Sequence, residues 1–588
     1  MATSSNWYLY TKRADFSGIA ERFGIDPVTV RVLRNRDVAG EADIRYLLQA
    51  GITDLYDESG IPDLEKAAEL ICKAIDGGEH IRVVGDYDID GVCATCILLR
   101  SLSGLGAKAD HRIPERIRDG YGINANIVRE AIRDGVDLIL TCDNGIAAVE
   151  ELALAKEAGI KVVVTDHHNV KVNEDGLDLL PPADAVVNVK RKDSRYPTSE
   201  ICGAVTAWKL VRRIFALKHL PETAWLEYLD LAAVATVGDV MELSGENRII
   251  VREGLKLLSG GRRPWKGNKS GEEAASGSSN AGLKALLSCL ELEGKPISTY
   301  HVGFIIGPCI NAGGRLETAE TALRLFMTDS TEDARKMALH LRELNEERKS
   351  MTEKGVREGM EQVEQKLLTD KILVVYLPEL HESLAGIVAG RLKEAYGKPA
   401  FVLTPGKDGL KGSGRSIEAY NMFEALCGAE DLLTRFGGHP MAAGISLQEE
   451  NLEAFRKRLN ETSVLQEEDF IRKIWIDAAM PLSYIHEKLV RELEALAPFG
   501  PGFERPLFAQ KGLRIRALQV MGRNRNVLKL QLFENSGTVM EGILFGEADR
   551  IAGEMRGADT VDIVYIPKIN EYQGSRSIQL EIRDYRCH

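Results

Sequence analysis

Short apolar runs alternate with amphipathic stretches between residues 80 and 190. The apolar runs read "IRVVGDYD", "VDLILTCD", "IKVVVTDHH" and "ADAVVNV", and "AAVEELALAKEAG" is one of the stretches between them. Alternation of this kind is typical of a parallel sheet that carries helices on both faces. The pattern therefore predicts an α/β domain in this part of the chain.

The pattern changes several times elsewhere, and each change suggests a domain boundary. Residues 259–281 are rich in Gly, Ser and charge, which indicates a flexible surface insertion. A second α/β unit opens at "KILVVYLP", and short strands such as "VLKLQLFE" and "DIVYIPKI" indicate a small β-barrel near the end. We predict an N-terminal helical module (1–75), a parallel-sheet domain (76–257), the insertion with a helical connector (258–368), a second α/β domain (369–460), and a linker with an OB-like β-barrel (461–588).

Acidic side chains follow three of the predicted strands at the point where each strand ends. Because the carboxyl ends of parallel strands meet at one edge of a sheet, these residues should converge on one cleft. A further apolar run, "AVATVGD", also ends in an acid, and two histidines follow one of the strands. The residues concerned are Asp86, Asp88, Asp90, Asp143, Asp166, His167, His168 and Asp239.

Carboxylates gathered in one cleft repel one another unless cations neutralise them. Oxygen ligands with one or two imidazoles favour Mn²⁺ or Mg²⁺ over a structural zinc ion, which would recruit thiolates. So many ligands suit a pair of ions, the arrangement that supports phosphoester hydrolysis. The bland alternative for any single acid is a helix N-cap or a turn residue, but a whole cluster with an adjacent histidine pair is harder to explain in that way.

The composition indicates the cellular compartment and the kinds of partner the protein can have, but it does not identify a reaction. The net charge of −13 argues against a surface that binds phosphate everywhere, although it allows a local basic groove. From Lys511 to Phe533 every charged residue is basic, so a stripe on the predicted barrel could follow a nucleic-acid backbone. The nine scattered cysteines suit a reducing compartment. With no apolar run of membrane-spanning length and no signal peptide, we expect a cytoplasmic protein without a membrane partner.

The ordered motifs resemble those of the DHH phosphoesterase superfamily, and within it the RecJ family of single-stranded-DNA-specific exonucleases. The resemblance covers nearly the whole chain, and the DHH tripeptide alone would be a weak signal. The matching segments are "GDYDIDGVCAT", "IPERIRDGYGIN", "LTCDNGI", "TDHHN", "VATVGDVMEL", "GPCINAGGRLETA", "LNEERK", "GIVAGRLKEAYGKPAFVL", "GSGRS", "FGGHPMAAGI" and "LAPFGPGFERPLF". The chain departs from the family pattern at Cys309, where arginine is usual.

The resemblance implies roles for individual residues. His168 would act on the scissile phosphate, and Asp86 would lie in the same site. The metal ligands implied by the family pattern are Asp88, Asp90, Asp143, His167 and Asp239. The implied substrate-binding residues are Arg116, Arg315, Ser413, Arg415 and His439, which would hold the 5′ phosphate.

The family implies a 5′-to-3′ exonuclease that degrades single-stranded DNA to mononucleotides in recombination and repair. Its expected partners are single-stranded DNA, a single-strand-binding protein and a RecQ-type helicase. An alternative is a DHH-family phosphodiesterase for short oligoribonucleotides or cyclic dinucleotides, but such relatives are generally shorter and lack the connector and the β-domain. A scaffold that has lost its metals is a third possibility, which the complete ligand set disfavours.

Overall fold

The protein folds into two units, one of which is discontinuous in sequence. The first unit consists of residues 1–50 and 471–588, and the second consists of residues 51–470. The computed structural model describes residues 5–263, 276–572 and 574–588. The part of the predicted insertion between residues 264 and 275 lies outside these described residues.

The strands contribute to a two-stranded sheet, two five-stranded sheets and a closed β-barrel. Their bounds are β1 Ser5–Leu9, β2 His80–Val84, β3 Lys108–Arg112, β4 Leu138–Cys142, β5 Lys161–Thr165, β6 Ala185–Val187, β7 Leu373–Tyr376, β8 Ala400–Gly406, β9 Gly409–Arg415, β10 Arg435–His439, β11 Ala442–Leu447, β12 Arg472–Ile476, β13 Ala478–Ala479, β14 Phe508–Met521, β15 Val527–Phe533, β16 Val539–Phe545, β17 Val561–Tyr572 and β18 Ser575–Cys587.

Helices α4 to α18 belong to the unit that contains the two larger sheets, and α1 to α3, α19 and α20 belong to the other unit. Their bounds are α1 Phe16–Phe23, α2 Pro27–Asn35, α3 Glu41–Gln49, α4 Leu64–Asp76, α5 Ile89–Gly104, α6 Ala125–Arg133, α7 Val149–Glu157, α8 Gly203–Leu217, α9 Leu229–Gly238, α10 Gly245–Leu258, α11 Ala281–Cys289, α12 Thr299–His301, α13 Gly307–Leu316, α14 Glu320–Met327, α15 Thr331–Gln362, α16 Ala385–Tyr396, α17 Met422–Cys427, α18 Leu452–Thr462, α19 Glu487–Ala495 and α20 Ala548–Arg556. Within the described ranges, no helix combines the length and the hydropathy that crossing a membrane requires.

The first large sheet has the order β3-β2-β4-β5-β6, and all its neighbouring strands are parallel. The four apolar runs form β2, β4, β5 and β6, which confirms the predicted parallel sheet. Strand β3 was not predicted, because its sequence "KADHR" is polar and only half-buried. A half-buried strand at the edge of a sheet does not need the continuous apolar run of a central parallel strand. The carboxyl ends of β2, β4 and β5 therefore share one edge, as the acidic cluster requires.

The second large sheet has the order β10-β11-β9-β8-β7. Strands β7 and β8 are parallel, and the other pairs are antiparallel. Helix α16 crosses between β7 and β8, as the α/β pattern predicted. Helix α15, with 32 residues, leads to this sheet from the connector and is about 48 Å long at the usual helical rise.

The first unit is built around a closed ring of strands. Strand β14 pairs with both β15 and β17, and the ring continues through β16 and β18. Five strands that close in this way form the OB-like barrel that the alternating C-terminal pattern predicted. Strand β13 extends the sheet beside β14.

The N-terminal residues do not form a separate helical module that ends at residue 75. Strand β1 pairs in parallel with β12, so the chain begins as part of the C-terminal unit. The guanidinium of Arg36 forms an ion pair at 2.5 Å with the carboxylate of Asp477, and both side chains are buried. These contacts attach residues 1–50 to residues 471–588, while α4 packs on α8 in the other unit. The predicted module of residues 1–75 is thus divided between the two units.

The described ends of the predicted insertion are anchored. Arg263 is buried and donates a hydrogen bond from Nε to the carbonyl of Gly277 at 2.9 Å. Ser278 is also buried and donates from its hydroxyl to the carboxylate of Asp230. The expectation of a flexible surface segment therefore does not apply to these two residues.

Candidate metal centre and phosphate pocket

The first acidic side chains of the cleft follow β2. Asp88 caps helix α5, because its Oδ1 accepts hydrogen bonds from the amides of Asp90 and Gly91 at 2.9 and 3.1 Å. This is the N-cap role considered for a single acid. The cap orients the carboxylate, and Asp88 also lies in a group with Asp86 and Asp143 that could hold a metal ion. Capping and ligation are therefore compatible at this position.

Asp90 is held by the first turn of α8. Its two carboxylate oxygens accept hydrogen bonds from the amides of Gly203 and Ala204, at 2.7 and 2.8 Å. A helix N-terminus favours a negative group because its amides are unpaired and its dipole is positive there. A Cβ atom at position 203 would lie 2.6 Å from the Cβ of Asp143. Only glycine lets the helix approach both acids so closely.

Asp143 follows β4 in a left-handed backbone conformation, with a φ of 61°. Non-glycine residues adopt this conformation rarely, and such strain is common at functional sites. The Oδ1 of Asp143 and the Oδ1 of Asp86 are buried without a hydrogen-bond partner among the described residues. Buried polar atoms are almost always paired. These two oxygens are therefore unsatisfied unless a cation or water binds them.

His167 lies at the centre of the acidic cluster. Its Nε2 is 3.1 Å from Asp143 Oδ1 and 3.6 Å from oxygens of both Asp90 and Asp239. Neither ring nitrogen makes a hydrogen bond of good geometry within the described part of the chain. Burial lowers the pKa of His167, which favours the neutral imidazole that metals bind.

The residues combine into overlapping groups whose ligand atoms lie within 4.8 Å of one another. One group joins Asp90, His167 and Asp239, and another joins Asp86, Asp88 and Asp143. The third group, Asp143 with His167 and His168, shares a residue with each of them. Burial, followed by the charge of Asp90, raises the pKa of Asp239 to about 8. Burial likewise raises the pKa of Asp143 well above its ordinary range, and neighbouring acids add to the effect. The cluster thus needs cations to remain ionised at neutral pH, and its donor set fits two divalent ions.

The ring of His168 lies 4.4 Å from that of His167, centroid to centroid, and is more exposed. Its Nδ1 lies 2.8 Å from Asp166 Oδ1, and the hydroxyl of Tyr121 lies 3.1 Å from the same nitrogen. Burial alone would lower the pKa of His168, but the hydrogen bond and charge of Asp166 raise it to about 8. Asp166 also accepts hydrogen bonds from the amides of Ile146 and His167. Asp166 therefore positions the histidine pair.

Three arginines approach the cleft, and none forms an ion pair with a carboxylate of the described residues. Arg116 lies 4.0 Å from the ring centroid of Tyr87, and Arg315 donates to the carbonyl of Ser383 at 2.9 Å. Burial and the charge of Arg116 lower the pKa of Arg315 to about 10, and Arg415 contributes to the same effect. These guanidinium groups lack a carboxylate partner among the described residues and are close enough to repel one another. Such a group of cations is suited to binding an anion.

The remaining predicted phosphate-binding residues lie on neighbouring strands of the second sheet. Arg415 is opposite Ala442, which is in turn opposite His439, so the three residues form a row across β9, β11 and β10. Ser413 is two residues before Arg415 and therefore faces the same side of the sheet. The guanidinium of Arg415 lies against Gly386 at the start of α16. His439 is exposed, and no contact joins it to the arginines.

Three parts of the sequence match known family models. Residues 80–236 match the DHH family, N-terminal domain; residues 369–464 match the DHHA1 domain; and residues 476–584 match the RecJ OB domain. The single-stranded-DNA-specific exonuclease RecJ of Bacillus subtilis is 34% identical over 99% of this chain and 71% of its own length. The enzyme of the same name from Salmonella typhimurium is 32% identical over 95% of this chain and 96% of its own length. The chain belongs to the RecJ family.

A solved structure of a RecJ protein has the same fold. RecJ of Thermus thermophilus in complex with Mn²⁺ matches 99% of this chain and 79% of its own, with a TM-score of 0.82 and 29% sequence identity. Cys309, the position at which we expected a departure from the family pattern, is buried on α13. Burial raises the pKa of its thiol to about 11, so the residue acts as a small apolar side chain.

The sequence analysis missed several residues that shape this RecJ site. Tyr121 lies within the quoted motif "IPERIRDGYGIN", and its hydroxyl donates to the carbonyl of Asp143 at 2.8 Å. Arg348 lies within "LNEERK", and its charge contributes to the lowered pKa of Arg315. Asn311 accepts a hydrogen bond from the amide of Ile89 at 2.8 Å and so joins α13 to the start of α5. Each motif was recognised, but the contacts depend on distant segments of the chain.

Proposed function

We propose that this protein is a 5′-to-3′ exonuclease that hydrolyses single-stranded DNA to mononucleotides in DNA recombination and repair. The observation that carries the proposal is the set of three ligand groups that meet at His167 and Asp143, together with the buried Oδ1 atoms of Asp86 and Asp143, which have no hydrogen-bond partner among the described residues. The two relatives described above are named single-stranded-DNA-specific exonucleases, which supports the substrate and the reaction.

Two Mn²⁺ or Mg²⁺ ions would bind between the strand ends. When bound, a pair of such ions activates water and stabilises the charge that develops on the phosphate oxygens. The ligands we propose are Asp88, Asp90, Asp143, His167 and Asp239, with Asp86 in the same group. The helix N-terminus at Gly203 fixes Asp90, and the neutral imidazole of His167 leaves a nitrogen lone pair for ligation.

His168 would act on the scissile phosphate. The Nδ1–H of His168 donates to Asp166, so Nε2, which lies 3.3 Å from the hydroxyl of Tyr121, is the nitrogen that would face the substrate. Below a pH of about 8 that nitrogen carries a proton, because Asp166 stabilises the imidazolium. A protonated Nε2 can donate to a phosphate oxygen and balance its negative charge. The hydroxyl of Tyr121, which lies within 3.3 Å of both ring nitrogens, helps to hold the ring in place.

The arginines would determine the direction of cleavage. Arg116, Arg315 and Arg415 come from three separate segments, and a 5′ phosphate offers three oxygens and up to two negative charges. A strand whose terminal phosphate is bound there cannot move further past the metal centre. The bond next to the terminal nucleotide is then the one cleaved, and mononucleotides leave from the 5′ end.

The decisive experiment compares substrates with Mn²⁺ present. We expect the purified protein to release mononucleotides from a 5′-phosphorylated single strand of DNA, and to act poorly on a short RNA and on a cyclic dinucleotide. Asp143→Ala should abolish this hydrolysis while the circular dichroism spectrum stays unchanged. Preferential hydrolysis of the RNA or the cyclic dinucleotide would favour the alternative DHH phosphodiesterase and contradict the proposal.

We also propose the family's partners for this chain, a single-strand-binding protein and a RecQ-type helicase, with a cytoplasmic location that suits a DNA substrate. The family resemblance alone supports these partners. Addition of the single-strand-binding protein and a RecQ-type helicase from the same organism should extend degradation into duplex ends. Unchanged degradation in their presence would contradict this part of the proposal.

A further inference from the structure

The helical segment of residues 299–316 runs along one wall of the cleft. It consists of α12, a π-helical turn from Val302 to Ile306, and α13. A Cβ at Gly303 would lie 4.0 Å from Val237, and a Cβ at Gly307 would lie 3.3 Å from Ile89. The segment thus passes the residues that precede Asp239 and follow Asp88.

The same segment ends at the phosphate pocket. A Cβ at Gly314 would collide with the carbonyl of Tyr87, which stacks with Arg116. The next residue, Arg315, reaches Ser383 of the second sheet domain. One end of the wall therefore contacts the proposed site of the 5′ phosphate, and its middle packs on Ile89 and Val237, which are close in sequence to the proposed ligands Asp88, Asp90 and Asp239.

The other end of the wall carries two exposed aromatic rings. Tyr300 and Phe304 are 60% and 67% exposed, and their ring centroids are 5.2 Å apart at an interplanar angle of 26°. Their spacing of four residues places both rings on one face of the helix. Packing does not account for them, since most of each ring faces solvent. π-helical turns such as the one that contains Phe304 often occur at functional sites.

Val240 is another exposed apolar residue, and it lies beside a proposed metal ligand. It follows Asp239 directly, is 67% exposed, and has a φ of 59°. A β-branched residue in the left-handed region is strained, and such strain is common at functional sites. Exposed apolar surface therefore lies directly beside the proposed ligand Asp239.

We propose that Tyr300 and Phe304 form a stacking platform for the bases on the 3′ side of the scissile phosphate. The inference rests on the proposed function, because it takes its polarity from the 5′ phosphate at Arg315. Phe304 precedes Arg315 by 11 residues, or about 16 Å along a helix. A strand that is held at Arg315 and passes the proposed ligands beside Ile89 and Val237 would then continue toward Phe304. Aromatic rings bind bases without regard to sequence, which suits an enzyme that degrades any strand.

The experiment measures KM and kcat separately with 5′-phosphorylated single strands. In the double variant Tyr300→Ala/Phe304→Ala we expect KM to rise roughly tenfold or more, with little change in kcat. The exchange Tyr300→Phe/Phe304→Tyr keeps both rings and should keep the KM of the parent. Leu177→Ala removes an equally exposed apolar side chain elsewhere in the unit and serves as the matched control.

A scan with one abasic nucleotide distinguishes stacking from other roles of the rings. An abasic position downstream of the scissile bond should raise the KM of the parent and leave that of the alanine variant unchanged. Equal KM values for the parent and the alanine variant on intact strands would overturn the proposed platform. That result is expected if the two rings bind another protein instead of DNA. A rise in the parent's KM that is the same for every abasic position would also overturn the proposed platform. If the parent fails to hydrolyse DNA, the proposed function itself is wrong.

Discussion

The Nδ1 of His168 lies 2.8 Å from the Oδ1 of Asp166, an oxygen that also accepts the backbone amides of both histidines. In Asp166→Asn the side-chain NH₂ group would replace one carboxylate oxygen. This donor would then face the backbone N–H groups of the two histidines or the backbone N–H of Ile146. We expect Asp166→Asn to lower kcat by roughly 10- to 100-fold, because neither histidine would keep its orientation.

The control for Asp166→Asn is Asp184→Asn. Asp184 accepts hydrogen bonds from Lys156 and from the amide of Val162, at the opposite end of β5. Both variants should lose stability, by about 1–3 kcal/mol. Only Asp166→Asn should lose activity beyond its loss of folded protein, and equal kinetic losses would contradict the positioning role.

Arg415 should matter for the 5′ end rather than for stability. It donates to its neighbouring carbonyl at Gly414 and has no carboxylate partner in the described structure, so its removal breaks no ion pair. We expect Arg415→Ala to keep the parent's Tm, to lose most activity on 5′-phosphorylated strands, and to lose the preference over 5′-hydroxyl strands. Arg458→Ala, which removes an exposed ion pair with Asp431, is the control for a lost surface charge. An Arg415→Ala variant that still discriminates the two ends would place the pocket elsewhere.

The basic stripe of the barrel is only partly available to DNA. Arg525 pairs with Asp549, and Lys529 pairs with Glu541 at 2.8 Å. Arg514, Arg516 and Arg523 form no ion pair within the described ranges. Replacement of these three arginines by Gln should weaken binding of long single strands and reduce the salt slope by about 0.7 per charge. Arg525→Gln alone should change the salt slope less. A triple variant that keeps the parent's salt slope would show that the basic stripe does not bind DNA.

Glu534 should make the stability of the first unit depend on acid pH. Burial raises the pKa of its carboxyl, but hydrogen bonds from Ser536, Ser483 and Gln510 outweigh burial and hold the pKa at about 2. Because this pKa lies below the unfolded value of about 4.3, the stabilisation is present above pH 4.3 and is lost as the pH falls toward 2. Glu534→Gln should therefore lower the free energy of unfolding by about 1–3 kcal/mol at pH 7 and by less near pH 2.

Urea denaturation at a series of pH values, followed by tryptophan fluorescence, measures this effect. Glu547→Gln is the control, because its ion pair with Arg550 is exposed and contributes little. Parallel pH curves for the parent and Glu534→Gln would show that the carboxylate of Glu534 has no special role.

Sequence alone predicted the parts of the fold that follow from local pattern. Asp88 and Asp143 could be placed at one edge because strand ends are visible as the end of an apolar run. The contacts made by residues distant in sequence could not be predicted in this way. The pairing of Arg36 with Asp477, the cap of Asp90 by Gly203 and the polar strand β3 all depend on segments that meet only in the folded chain. The boundaries at residues 257, 368 and 460 and the individual roles of the site residues stay predictions.

The closed ring of β14 to β18 has a consequence for how the protein behaves at high concentration. Every strand of the ring has a partner on both sides, since β14 pairs with β17 as well as with β15. Unpaired strand edges are templates on which other chains can add, and closure of the ring removes them. The basic residues of the barrel therefore remain on a surface that resists aggregation through its backbone, even when many molecules gather on one strand of DNA.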